Sequence, residues 1–112
     1  MDYVHLVAEV AKHGALGHEQ AERAVAAVVQ TLGERLLPID AMVLASELPS
    51  PLGDYLRARH NPGEFDLPEF HARVAARLGV EPEVALEYDV LVGGVLAAEL
   101  DPGTLGLLRS RL

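Results

Sequence analysis

Apolar residues recur at three- and four-residue intervals along most of this chain, and no stretch sustains the alternation expected of a half-buried strand. Val4, Val7, Val10 and Ala11 share one face of residues 2–13, with His5, Glu9, Lys12 and His13 opposite, which predicts a helix with one wet side. Gly14 and Gly17 end it. Over residues 18–37, Ala21, Val25, Val28, Leu32 and Leu36 form one stripe, while Glu19, Arg23, Gln30 and Glu34 predict a solvated face on the other side. Pro38 suits the first turn of a third helix to residue 48, because proline there removes an amide that has no helical acceptor.

The same order then returns. Pro49, Ser50 and Pro51 break the third helix, a short helix is predicted through Leu52, Tyr55 and Leu56, and Asn61-Pro62-Gly63 marks a turn. Asp66 stands where a cap is needed, Glu69 completes a capping box, and Phe65 and Phe70 occupy the flanking apolar positions. The fourth helix runs to residue 78 and stops at Gly79; Pro82 opens a fifth to residue 100, and Asp101-Pro102 starts a sixth. A shift of 64 positions lays Val10 on Val74, Glu19 on Glu83, Leu32 on Leu96, Pro38 on Pro102, Leu44 on Leu108 and Leu48 on Leu112 without a gap. The expected architecture is all-α: one domain over residues 1–112, built from two pseudo-symmetric three-helix repeats, 2–48 and 66–112, joined by a connector at 49–65.

Two departures from that repeat draw the eye to chemistry. His71 falls on Val7 and Asp89 on Val25, so two apolar positions become ionisable in the second unit. Counted from the hairpin turns they stand at one height on neighbouring helices, and a buried carboxylate needs compensation; His71 and Asp89 are therefore expected as a buried polar pair. The fifth helix is the other departure. Beyond the stripe of Ala85, Tyr88, Val92, Leu96 and Leu100, it carries apolar residues where the second helix carries charge. A helix apolar nearly all round is buried on two sides, so it is expected to be the central element of the domain or to offer Leu86, Val90, Gly93, Gly94 and Ala97 to a protein partner or a second copy. Paired mid-helix glycines cost about 1 kcal/mol each relative to alanine, which a close approach of another backbone at Gly93-Gly94 would offset.

Composition narrows the function classes. With no cysteine, thiolate metal sites and thiol nucleophiles are excluded. Nine basic against seventeen acidic residues give a net charge of −8, which opposes a phosphate backbone, so nucleic acid is not an expected partner. No uninterrupted apolar run has the length of a membrane span and no basic-then-apolar leader opens the chain, which makes the cytoplasm the expected setting. His5, Glu9 and His13 are four apart, but they lie on the wet face beside Lys12 and read as surface rather than as metal ligands. There is no glycine-rich phosphate loop, serine elbow or dinucleotide fingerprint, and no cofactor or catalytic residue is assigned.

The segments Asp2-Tyr3, Ala21-Glu22-Arg23-Ala24, Thr31-Leu32-Gly33-Glu34-Arg35-Leu36, Leu44-Ala45-Ser46-Glu47-Leu48-Pro49, and Phe65 to Phe70 with Arg73-Val74-Ala75 carry a resemblance. Together they are similar to the bacterial domain of unknown function 2267 family over nearly the whole chain. That resemblance implies an all-helical, two-unit protein of the bacterial cytoplasm and transfers no activity, cofactor or catalytic residue. The chain departs from the family pattern at Ile39, Met42 and Val43 and at Gly93-Gly94, where more polar residues are expected. The expected role is a non-catalytic interaction or adaptor module. The competing expectation is a small-molecule or metal-binding protein, with enzymatic activity left open, whose pocket lies between the repeats near His71 and Asp89. A cavity reached by that pair would favour the second; a solid core with a flat small-residue strip outside would favour the first. An acidic mimic that occupies a basic site on another protein is a third reading.

Overall fold

A computed structural model describes residues 2–111, so Leu112, the last residue of the second predicted unit, lies outside the described residues together with Met1. The chain order is α1 (Tyr3–Gly14), α2 (His18–Arg35), α3 (Pro38–Glu47), α4 (Leu52–Arg57), α5 (Leu67–Leu78), α6 (Pro82–Glu99) and α7 (Pro102–Arg111), with no strand among the described residues. Local chemistry sets the ends. Asp2 accepts from the His5 amide at 2.6 Å and Asp66 from the Glu69 amide at 3.0 Å, each satisfying a first-turn donor. Ala15 and Gly79 close α1 and α5 in the left-handed region, at φ 53° and 68°. Helix α2 stops two residues short of its predicted end: Leu36 and Leu37 are extended, and Pro38 disfavours helical geometry in the residue before it. Helices α1, α2 and α3 are 12, 18 and 10 residues long, and α5, α6 and α7 repeat those lengths with each boundary displaced by 64.

Helices α1 and α2 pack as one hairpin and α5 and α6 as another; α2 also packs on α5, and α6 on both α1 and α2. The connector helix α4 lies against α2 and α3, and α7 packs on α3. One continuous apolar cluster, including Leu6, Val25, Leu44, Leu56, Val74 and Val92, runs through both hairpins.

The central element is α2, not α6, which corrects the expectation drawn from apolar content. Helix α2 buries residues on all sides, from Ala21 through Val29 to Glu34, whereas α6 buries only Ala85, Val92 and Leu96. Small side chains explain the exchange. Ala21, Ala24, Ala27 and Gly33 let neighbours close around α2, and a Cβ at Gly33 would lie 2.5 Å from the Leu56 carbonyl oxygen. The close backbone approach expected at Gly93-Gly94 is found here instead, since nothing lies within 4 Å of a Cβ built on either of those glycines.

Glu34, expected on a solvated face, is 1% exposed. Arg77 reaches its two oxygens at 2.9 and 2.8 Å, the Asn61 amide donates at 3.0 Å, and Arg73 adds a longer contact at 3.4 Å. Burial works against the charge, but those donors outweigh it and hold the Glu34 carboxyl below its ordinary value. Arg73 in turn donates to Glu69 at 2.8 Å and lies over the Phe65 ring at 3.9 Å, so the Glu69 carboxylate, expected to complete the capping box, pairs with Arg73 one turn on. Arg59 donates to the Gly33 and Leu36 carbonyls, both at 2.9 Å, and so satisfies acceptors left at the end of α2. Arg59 of the connector is thus a fastening.

Candidate functional site

The short turn after Gly79 folds α6 back along α5 and brings His71 beside Asp89. His71 Nδ1 and Asp89 Oδ2 share a hydrogen bond. The Asp89 side chain is 9% exposed and that of His71 22%, while Val7 and Val25, the residues at the corresponding positions of the first half, are fully buried. Asp89 Oδ1 is buried and has no hydrogen-bond partner. Burial pushes the Asp89 carboxyl above its usual value, and the His71 hydrogen bond offsets only part of that push.

This pair forms part of the wall of a partly open cleft of about 470 Å³. Val28 and Leu32 of α2 and Phe70 of α5 form one side, Gly93, Leu96 and Ala97 of α6 another, and Leu105 and Leu108 of α7 close across from them. His71, Asp89 and Arg109 are the ionisable residues of a lining that is otherwise apolar and contains no hydroxyl or thiol. Arg109 is exposed and has no ion-pair partner among the described residues. The aligned leucines Leu32 and Leu96, and Leu44 and Leu108, all face this cleft, so residues that match across the two halves converge on it.

The five residues expected to form one partner surface are divided. Leu86 and Val90 are exposed, at 47% and 69%. Gly93 and Ala97 belong to the cleft wall, and Gly94 borders a separate depression with Glu9, His13 and Leu91. On α1, His13 lies 3.2 Å from Glu9 and His5 lies 3.8 Å from Glu99 across to α6. Among the described residues no group of three or more His, Cys, Asp and Glu gathers as a metal site, and no helix is long and apolar enough to cross a membrane. The contributions of Leu105 and Arg109 escaped the sequence reading because α7 has no strong helical stripe; the match of Leu108 to Leu44 was the signal that pointed there.

Fold and site together define a small all-helical protein of paired hairpins flanking an apolar cleft. The sequence model of the uncharacterized conserved protein family DUF2267 matches residues 3–112, and the chain belongs to that family. No curated protein and no solved structure matches the chain.

Proposed function

We propose that the protein is a non-catalytic binding module whose cleft between α6 and α7 receives a small, largely apolar molecule. The observation that carries this reading is the cleft itself: its volume of about 470 Å³ falls within the range of ligand pockets, and its apolar lining is interrupted by one convergent polar pair, His71 and Asp89. The absence of any hydroxyl or thiol from the lining supports binding over nucleophilic catalysis. A bacterial cytoplasmic setting, with no nucleic acid as partner, belongs to the same reading and rests on the net charge of −8 and the family resemblance.

Gly93 supplies the test. Gly93 lines the cleft and a Cβ there meets nothing within 4 Å, so a side chain at this position starts in open space, and Gly93→Leu also replaces a poor helix former by a good one. The expected outcome is a helical spectrum and melting temperature at or above those of the wild type, with loss of binding to an environment-sensitive apolar fluorophore. Unchanged fluorophore binding by a folded Gly93→Leu variant would remove the reading.

A second reading, a protein partner or a second copy, is supported by exposed apolar residues outside the cleft. Ile39 and Met42 on α3 and Leu86 and Val90 on α6 are all substantially exposed. Light scattering on the wild type and on Met42→Glu and Val90→Glu tests it, with a mass above the monomer that one of the two substitutions abolishes.

A further inference from the structure

Asp89 carries an imbalance that the rest of the cleft leaves uncorrected. One of its oxygens is bound to His71; the other is buried and lacks a donor. Buried acceptors are normally satisfied, and an unmade bond costs more than a made one contributes. No residue of the lining donates to Oδ1, and Arg109, the one other donor there, is exposed and makes no bond to Asp89. Its nearest turns on α6 are Gly93, Leu96 and Ala97, and the facing residues Val28, Leu32 and Phe70 have no side-chain donor. Asp89 and Leu100 stand roughly 16 Å apart along α6, with the glycine and the alanine keeping the intervening wall low. A polar point followed by an apolar trough is the complement of a linear amphiphile.

We infer that the cleft takes an amphipathic molecule whose apolar tail lies along α6 between Gly93 and Leu100 and whose head group donates a hydrogen bond to the Asp89 carboxyl, reaching the covered and unpartnered Oδ1 once the side chain turns toward the cleft. The inference rests on the cleft being a ligand site and adds the class of ligand. A head group that only accepts, such as a carboxylate or an ether, meets an acceptor and leaves it unsatisfied. Arg109 could pair with a carboxylate, but it is exposed, and exposed ion pairs are worth little beside a buried unmet acceptor. Hydroxyl and ammonium heads share the required chemistry, and they are separated by experiment.

The experiment uses four probes with one decyl tail: decanol, decylamine, decanoic acid and decyl methyl ether. Each competes against the apolar fluorophore on the wild type, on Asp89→Val and on the double variant His71→Val/Asp89→Val, which installs the valines found at positions 7 and 25. The expected result is that the alcohol and the amine bind about tenfold or more tightly than the acid and the ether on the wild type. On a folded valine variant the four converge. An amine stronger than the alcohol identifies a cationic head, and parity identifies the hydrogen bond alone.

An acid or ether as tight as the alcohol, or a donor preference that persists without Asp89, overturns the assignment. Equal binding of all four that Gly93→Leu abolishes sinks the head-group inference and leaves the cleft as a binding site. Failure of every probe on the wild type sinks the cleft reading itself.

Discussion

Arg77 holds both oxygens of Glu34, at 2.9 and 2.8 Å, and so ties α5 to the buried last turns of α2. The carboxylate is fully withdrawn from water while the guanidinium keeps a partly exposed edge, so loss of the arginine strands a charge and loss of the carboxylate does not. Arg77→Met is therefore expected to cost about 2–3 kcal/mol, somewhat below the usual cost of breaking a buried pair because Arg73 and the Asn61 amide still reach Glu34. The double variant Glu34→Met/Arg77→Met recovers most of that loss. Urea midpoints of the two variants measure both effects; a double variant no more stable than the single one would deny Glu34 its dependence on Arg77.

Glu34 and Asp89, two carboxylates withdrawn from water, predict opposite responses to pH. Glu34 is held below its ordinary value of 4.5, so its contribution is complete above that value and disappears as pH falls through its folded pKa. Asp89 is raised above its ordinary value of 3.8, so it costs nothing at low pH and its penalty grows as pH rises from there through its folded pKa. Against the wild type, Glu34→Gln should be relatively least stable at neutral pH and converge on it in acid. Asp89→Asn should converge on the wild type in acid and gain on it toward neutrality. Urea titrations at a series of pH values check both curves; two variants with slopes of the same sign would contradict the burial assigned to Asp89.

The helices were legible because their punctuation is local. Asp66 with Glu69, Pro38, Pro82 and Gly79 act on their own turns, and each works whatever packs nearby. Glu34 was not legible in this way. One helical stripe describes burial on one side, but α2 is enclosed by α1, α4, α5 and α6, and the partners that make its charge tolerable lie 39 and 43 residues away. Apolar content misled in the same manner for α6, whose Leu86 and Val90 face solvent while the alanines of α2 fill the interior. His71 and Asp89 stood out because they replace valines in an otherwise matching framework. The cleft beside them depends on where α7 lies, and that placement is a tertiary fact with no periodic signature.

Ala15 and Gly79 perform the same task with unequal means. Both end a helix in the left-handed region, where a Cβ is strained and glycine is not, and both amides bond back to a carbonyl four residues earlier. Ala15→Gly is expected to raise stability by about 1 kcal/mol, the relief of that strain less the added freedom of the unfolded chain. Gly79→Ala should lower it by a similar amount. Thermal melts of the two variants give the comparison, and a destabilised Ala15→Gly would mean that the methyl group has packing worth more than the strain.

Gly33 and Gly93 both lie inside 18-residue helices, yet the same substitution is expected to act on them with opposite signs. Alanine is the better helix former by about 1 kcal/mol at either site, so propensity alone stabilises both. At Gly93 nothing lies within 4 Å of the added methyl group, and that gain stands, raising the melting temperature by roughly 4 °C for a domain of this size. At Gly33 the methyl would lie 2.5 Å from the Leu56 carbonyl oxygen and 2.9 Å from its Cα, and backbone cannot swing aside as a side chain can. The helix α4 must then move off α2, taking Leu52 and Leu56 out of the core and loosening the Arg59 bonds to the Gly33 and Leu36 carbonyls. Gly33→Ala is expected to lose about 1–3 kcal/mol net, in the range that overpacking costs. Calorimetry on the two single variants decides the matter, since equal and positive shifts would mean that α4 does not press on α2 as described.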